Sequence, residues 1–96
     1  MDENNLSWLE NFYSNNCNDY WEHFYGITIR TLDNPGWDVT VDLSETIYSE
    51  LNIDRIEIDN GDDDWMHCWI EEGVFHGCGD CLKLNKILEI LRELTH

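Results

Sequence analysis

Positive charge is the scarcest property of this chain. Five Lys and Arg residues stand against 21 Asp and Glu, which gives a net charge of −16 with His taken as neutral. Phosphate backbones repel such a surface, so nucleic acid is excluded as a direct partner. A basic protein is the partner that this charge would attract, with association accelerated by long-range steering. The same charge opposes self-association, and we expect a monomer when the protein is free.

Long apolar runs and basic N-terminal residues are also missing. No stretch of about 18 apolar residues occurs and the first residues, MDENN, are acidic, so we expect neither a membrane span nor a secretory signal. Without a signal peptide, the four Cys are expected to be reduced thiols rather than a disulfide framework. These absences together predict a cytoplasmic protein that makes no membrane contact.

What the chain does contain is enough apolar surface for one domain. Its 96 residues are 42% hydrophobic and include five Trp, four Tyr and three Phe. Each buried aromatic side chain removes about 150–250 Å² from water, so a few of them would dominate a small core. A chain of this length has no room for a second core, and residues 1–96 are predicted to form a single domain.

Helical periodicity occurs near both ends of the chain. The first helix is expected to be capped by Asn5 or Ser7 and to end near residues 15–16. Its apolar positions are Leu6, Leu9 and Tyr13, with Trp8 and Phe12 beside them. The closing helix has its apolar positions at Leu84, Ile87, Leu88, Ile90, Leu91 and Leu94. Both patterns are typical of amphipathic helices with one buried side.

Between the predicted helices, alternating apolar and polar residues predict five strands. Their expected bounds are 24–32, 37–43, 53–59, 65–71 and 74–77. Residues 33–36, with Pro35 before Gly36, are typical of a type II turn, whereas 44–51 has room for one short helical turn. No strand–helix–strand alternation occurs. The predicted fold class is α+β, an antiparallel β-meander of about five strands with an N-terminal and a C-terminal helix on one face.

Two helices on one face would leave the opposite face of the sheet open. The residues expected on that face are Thr28, Arg30, Asp38, Thr40, Asp42, Glu57 and Asp59. The residues of the fourth strand expected to face inward are Met66, Cys68 and Ile70. Trp69 then points outward among carboxylates, a composition typical of binding hot spots. A strand rotated by one residue would instead bury Trp69 in the core, and alternation alone leaves both registers open.

Motifs that carry chemistry are few. Cys78 and Cys81 form a single CxxC before a helix, which could serve as a redox dithiol or, joined by His76, His67 or Cys17, bind zinc. Neither a strand–helix–strand context nor a second pair of metal ligands accompanies it. Residues 62–64 (DDD) lack the calcium-loop pattern, and residues 21–23 (WEH) lack a nucleophile or a second carboxylate. We therefore expect two ordinary thiols, no metal, no cofactor and no enzymatic activity.

A series of short blocks spans nearly the whole chain. They are Trp8-Leu9, Phe12-Tyr13, residues 21–23 (WEH), Gly26-Ile27, residues 31–37 (TLDNPGW), Asp42-Leu43, then Trp65, Cys68, Ile70, Phe75, Gly77, Gly79 and a closing Leu-rich helix. In this order they resemble immunity protein 53, a family of small bacterial antitoxins, and residues 31–37 are the most specific block. The resemblance implies a polymorphic-toxin immunity protein that binds and neutralises the toxic domain encoded beside it, without catalysis.

Charge and resemblance lead to one hypothesis. The protein would bind the basic C-terminal domain of a toxin, expected to be a nuclease whose nucleic-acid groove is blocked by carboxylates, with Trp69 as the anchor. The expected contact residues are Asp38, Asp42, Glu57, Asp59, Asp62, Asp63, Asp64, Trp69, Glu71 and Glu72. The residues expected to be structural are Trp21, Trp37, Pro35 and Gly36. Two alternatives stay open: a metal- or thiol-dependent protein using Cys78 and Cys81, and an acidic nucleic-acid mimic that inhibits another nuclease.

Overall fold

Residues 4–95 are described by the computed structural model of this chain. The elements are α1 (Asn5–Asn16), α2 (Trp21–Phe24), β1 (Ile27–Leu32), β2 (Gly36–Asp42), β3 (Ile53–Asp59), β4 (Trp65–Glu71), β5 (Val74–Gly79) and α3 (Leu84–Leu94). The strands form one antiparallel sheet in the order β1-β2-β5-β4-β3. The predicted α+β class, with five antiparallel strands and a helix toward each end, is confirmed.

The strand order places β5 in the middle of the sheet, between β2 and β4. Three hairpins, β1–β2, β3–β4 and β4–β5, join neighbours in both sequence and space. One longer connection carries the chain from β2 to β3 at the far edge. Residues 44–51 of this connection, which had room for one short helical turn, form turns instead. One of these turns is held by the Thr46 hydroxyl, which donates to the Leu43 carbonyl at 2.6 Å.

One face of the sheet is covered and apolar. Its fully buried side chains are Val39, Val41, Met66, Cys68, Ile70 and Phe75, and those of α3 are Ile87, Leu88 and Leu91. The predicted inward positions of these strands and of the closing helix are therefore confirmed. α3 lies directly on β5, because a Cβ added at Gly77 would come within 2.5 Å of the Ile87 side chain. Glycine at this position lets helix and strand approach closely.

The start of α1 differs from the prediction. The N-cap is Asn4, whose side-chain Oδ1 accepts a hydrogen bond from the Ser7 backbone N–H at 2.7 Å. Asn5, expected as a cap, is already the first helical residue. An N-cap side chain accepts from a backbone N–H two or three residues further along the chain, and Ser7 supplies that N–H here instead of serving as the cap itself.

The buried side of α1 is also rotated from the predicted one. Leu9 and Phe12 are buried, whereas Leu6 is 63% exposed and Tyr13 is 41% exposed. Trp8 lies one turn before Phe12, with ring centroids 5.2 Å apart, and packs against the core as well. Leu9, Phe12 and Trp8 therefore define the side of the helix that faces the core.

A short helix, α2, stands where the first strand was expected to begin, and β1 starts only at Ile27. Trp21 is fully buried and donates from its indole Nε1 to the Asp42 carbonyl at 2.9 Å. Asn18 Oδ1 accepts from the Trp21 backbone N–H at 2.9 Å, while the Glu22 carboxylate accepts from the Asn18 backbone N–H, also at 2.9 Å. These caps satisfy the backbone of a four-residue helix that its own propensity would not hold.

The β1–β2 turn is not the expected type II turn. The Asn34–Pro35 peptide bond is cis, and Gly36 pairs with Leu32 as the first residue of β2. A Cβ at Gly36 would collide with the carbonyl oxygen of Gly79 on the neighbouring strand. Glycine is required here by the close approach of β5, which gives Gly36 the structural role expected of it.

Candidate partner-binding face

The face of the sheet opposite α1 and α3, called the open face below, carries the polar half of each strand. In β4 the buried residues are Met66, Cys68 and Ile70, so Trp65, His67 and Trp69 point to the open face. The rotated register, in which Trp69 would be a core residue, is excluded. The predicted open-face positions in β1, β2 and β3 also lie here, because cross-strand partners share a side.

One row of cross-strand partners crosses all five strands of the open face. In spatial order it contains Arg30, Asp38, Cys78, His67 and Glu57. Arg30 Nε lies 2.9 Å from Asp38 Oδ2 at one end of the row. At the other end, His67 Nδ1 lies 3.1 Å from Glu57 Oε2, but the two atoms do not meet hydrogen-bond geometry. The row therefore has an Arg30–Asp38 ion pair at one end and a close His67–Glu57 contact at the other, with Cys78 between them.

Cys78 occupies the centre of this row. Burial raises the pKa of its thiol, and the negative charge of Asp38 raises that pKa further. A raised pKa keeps the sulfur protonated, which is the opposite of what a nucleophilic cysteine needs. The fifth strand was predicted to end at residue 77, before Cys78, and that bound is wrong because β5 extends to Gly79.

Trp69 is the centre of a second, aromatic group. Its ring stacks on His76 with centroids 4.8 Å apart and planes at 13°, and the Arg55 guanidinium carbon lies 4.6 Å from the ring centroid. β5 and β3 lie on opposite sides of β4, so the two groups approach the indole from opposite sides. The indole Nε1 donates to Glu71 Oε1 at 3.2 Å. Trp69 is thus held in one orientation before any partner arrives.

The predicted contact carboxylates differ in how far they are already engaged. Asp38 pairs with Arg30, Asp64 Oδ1 accepts from Lys83 Nζ at 2.7 Å, and Asp42 Oδ1 accepts from the Ser44 backbone N–H at 3.0 Å. Within residues 4–95, the carboxylates without a hydrogen bond or ion pair include Asp59, Asp62, Asp63 and Glu72. These exposed carboxylates are the ones free to meet a cation on another molecule.

Most of the predicted residues form a stripe along β4 rather than one cluster, whereas Asp38 and Asp42 lie on β2, which β5 separates from β4. Asp62, Asp63 and Asp64 lie in the β3–β4 turn, whereas Glu72 lies in the β4–β5 turn at the other end of β4. Seven residues of strand at about 3.3 Å each put these turns roughly 20 Å apart. Trp69, Glu57 and Asp59 lie between them on the open face. A partner that met all of these residues would have to lie along β4.

Asp80 is a residue of this region that the sequence reasoning missed. Its buried carboxylate accepts from the backbone N–H groups of Trp65 and Leu82, both at 2.9 Å, and from Lys83 Nζ at 2.8 Å. The Lys83 hydrogen bond, followed by that from the Leu82 N–H, lowers the pKa of Asp80 from 3.8 to about 2. Since Lys83 also bonds Asp64, the group fixes the acidic β3–β4 turn to the start of α3. The spacing of Asp80 three residues before Lys83 was the available signal.

The candidate metal ligands do not come together as a site. Cys78 belongs to the open face, Cys81 is exposed in the following loop, and His76 is stacked on Trp69. In the range that the structure describes, no group of three or more His, Cys, Asp or Glu side chains is placed to hold a metal ion. Cys68 lies on the covered face, where burial raises the pKa of its thiol to about 12.

An acidic sheet face with a firmly held Trp is typical of a protein-binding module. The sequence model of the family described as immunity protein 53 matches residues 6–96, and the chain belongs to that family. Neither the curated proteins nor the solved structures contain a significant match to the chain. Across residues 4–95, no helix has the length and apolar character needed to span a membrane. The family assignment confirms the resemblance, gives the protein an immunity role and implies a cognate toxin as its partner.

Proposed function

We propose that this immunity protein neutralises its cognate toxin by binding the toxin's C-terminal domain along the open face. The observation that carries the proposal is the stripe of unpaired carboxylates around a preformed Trp69 stack, on a face that α1 and α3 leave uncovered. The net charge of −16 favours a basic partner. A nuclease is the toxin class that best combines a basic surface with a site that carboxylates can block.

The proposed mechanism is occlusion rather than chemistry. A nuclease binds phosphates through a groove of Lys and Arg side chains, and carboxylates spaced along β4 offer those cations an alternative set of anions. Within residues 4–95, Asp59, Asp62 and Asp63 have no ion pair, so binding a cation of the partner breaks none there. The thiol of Cys78 has a raised pKa, which supports a role that involves no nucleophile.

Trp69 would contribute most of the binding affinity, and the carboxylates would mainly raise the association rate. Because His76 and Arg55 already hold the indole, little side-chain freedom is lost when a partner packs against it. Carboxylates at the rim act mainly through association rate and salt dependence. Affinity and steering are therefore assigned to different residues of the same face.

The test is titration calorimetry against the toxin domain encoded beside this chain, at low and at high salt. We expect nanomolar binding that weakens as salt rises. Truncation of Trp69 to alanine should cost about 2 kcal/mol or more of binding free energy. The matched control is Phe24→Ala, which removes an exposed ring from α2 outside the open face and should leave affinity unchanged.

Each result of this titration bears on a different part of the proposal. Absence of binding at both salt concentrations would overturn the assigned partner. Tight binding without salt dependence would retain the immunity role and reject the acidic docking face. Equal losses for Trp69→Ala and Phe24→Ala would reject Trp69 as the anchor.

A further inference from the structure

Arg55 stands apart from the other basic residues of this acidic protein. Lys and Arg residues that contact carboxylates are Arg30, Lys83 and Lys86, while Arg92 donates to the Asn5 side chain. Arg55 is exposed and has neither a hydrogen bond nor an ion pair with the residues that the structure describes. Its guanidinium lies instead over the Trp69 ring. A free guanidinium in a protein with 21 acidic residues calls for an explanation.

The backbone gives Arg55 this position. The register of β3 against β4 shifts between Ile53 and Ile56, so Asp54 and Arg55 occupy an irregular stretch of the edge strand. Beside it lies an open cleft of about 310 Å³. The residues that line the cleft are Asn52, Ile53, Asp54, Arg55, Trp69, Ile70 and Glu71. The cleft brings a guanidinium and an indole together at the edge of the open face.

The chemistry of this cleft suits a carboxylate. A guanidinium that stacks on an aromatic ring keeps its in-plane N–H donors free, and their fork matches the two oxygens of a carboxylate. The stack also removes much of the conformational freedom that a surface Arg would lose on binding. A free phosphate has a matching shape, but the net charge of the protein repels a small dianion. A carboxylate carried on a basic protein is brought to the cleft by the charges around it.

We infer that Arg55 is a specificity-determining contact that receives one Asp or Glu side chain of the toxin domain. This inference rests on the proposed function and names the chemistry of the partner at one point. Among the residues that the structure describes, Arg55 is then the one Lys or Arg of the open face without an ion pair, and it lies in a negative field. The matching surface on the toxin is basic with one acidic residue opposite Arg55.

Such a pattern rejects wrong partners as well as accepting the right one. A uniformly basic domain would place a cation against Arg55, and like charges in contact oppose binding. Discrimination between related partners commonly depends on such a repulsive element beside the attractive ones. The acids would bring many basic proteins to the face, and Arg55 would select among them.

Neutralising Arg55 distinguishes this inference from simple electrostatic steering, because the two predict opposite changes in affinity for the toxin domain. Arg55→Gln makes the protein more negative, so steering alone predicts tighter binding to a basic toxin domain. Loss of a carboxylate partner predicts weaker binding, by about tenfold or more. The matched control is Arg30→Gln on the same face. Arg30 already pairs with Asp38, so its loss frees a carboxylate and should leave affinity unchanged or improved.

A charge exchange identifies the partner residue. Arg55→Glu should bind more weakly than Arg55→Gln, and changing one Asp or Glu of the toxin domain to Lys should restore the loss. A role confined to holding Trp69 predicts no such rescue, because the exchanged pair would still lack the stacked guanidinium. Failure of every single toxin variant to rescue Arg55→Glu would therefore overturn the inference.

The outcomes also separate this inference from the proposed function. If the unaltered protein does not bind the toxin domain, the proposed function fails. If the unaltered protein binds and Arg55→Gln binds as tightly or more tightly, only the inference about Arg55 fails. Thermal unfolding of each variant, with an unchanged midpoint expected, shows that the affinities compare folded proteins.

Discussion

The covered face and the open face of this sheet are ordered in different ways. On the covered face, Phe75 and its neighbours are fixed by close packing, and even the space at Gly77 is filled by α3. On the open face, side chains are fixed in pairs and stacks, such as Arg30 with Asp38 and Trp69 with His76. Close packing tolerates little change, whereas a pair can be altered alone. Stability and binding should therefore be separable in this protein by mutating one face at a time.

The largest expected loss of stability comes from a substitution on the covered face. Phe75→Ala removes a fully buried ring and should lower the free energy of unfolding by about 3–5 kcal/mol. Trp69→Ala on the neighbouring strand is the matched control, since it removes a larger ring from the open face and should cost less stability. Urea denaturation of both variants measures the difference. Equal losses would show that the open face is a second core, and the comparison between the faces would fail.

A smaller effect on stability is expected at Asp80, which joins the β3–β4 turn to the start of α3. Its folded pKa of about 2 lies below the ordinary 3.8, so the carboxylate stabilises the fold above about pH 4. That stabilisation is lost as the pH falls from about 4 toward 2, because protonation then removes the Lys83 hydrogen bond. Asp80→Asn should be less stable than the unaltered protein at neutral pH, and the gap should narrow on acidification.

Unfolding in urea at a series of pH values checks the behaviour of Asp80. Asp59→Asn is the control, since that carboxylate is exposed and lacks a partner within residues 4–95. A constant difference between Asp80→Asn and the unaltered protein across the series would contradict the assignment of this acid-sensitive stability to Asp80.

The smallest effect concerns the reactivity of the four thiols. Cys17 and Cys81 are exposed, Cys78 is half-buried on the open face, and Cys68 is buried on the covered face. Because thiolate is the reactive form, iodoacetamide should modify the exposed pair first and Cys78 more slowly. Cys68, with its pKa raised to about 12, should react only when the protein unfolds. Mass spectrometry over time resolves the steps, and early modification of Cys68 would mean that the covered face opens readily.

The face of the sheet to which each strand residue points could be predicted from sequence, because the alternation of polar and apolar residues is a local signal. In β2, Val39 and Val41 alternate with Asp38 and Asp42, and each residue lies on the face that its polarity indicates. The periodicity of α3 is equally local, with Ile87 among its buried residues. Patterns of this kind need no knowledge of which strands pair.

Other parts of the fold depend on contacts that are distant in sequence. α2 holds Trp21 in a site closed partly by Phe12, and its indole donor is satisfied by the Asp42 carbonyl from 21 residues away. Nothing in the four residues of α2 encodes either partner. The same is true of Gly36, whose role depends on the carbonyl of Gly79 in the central strand.

The residue types of the candidate site could be predicted from sequence, but the ion pairs between them could not. Which carboxylates are paired depends on the strand register, and only the structure shows that Asp38 meets Arg30 while Asp59 has no ion pair within residues 4–95. A local signal for Arg55 did exist. Ile53 and Ile56 are three residues apart in a strand that otherwise repeats every two, and this broken period marks the bulge beside Arg55.

The central position of β5 also has a consequence for how the protein is made. A growing chain produces the β1–β2 hairpin and then the β3–β4 hairpin, but the strand that lies between them is synthesised after both. An isolated two-stranded hairpin is only marginally stable in water, so neither half should fold on the ribosome by itself. Protection against the toxin would therefore begin only after β5 has emerged from the ribosome and paired with β2 and β4.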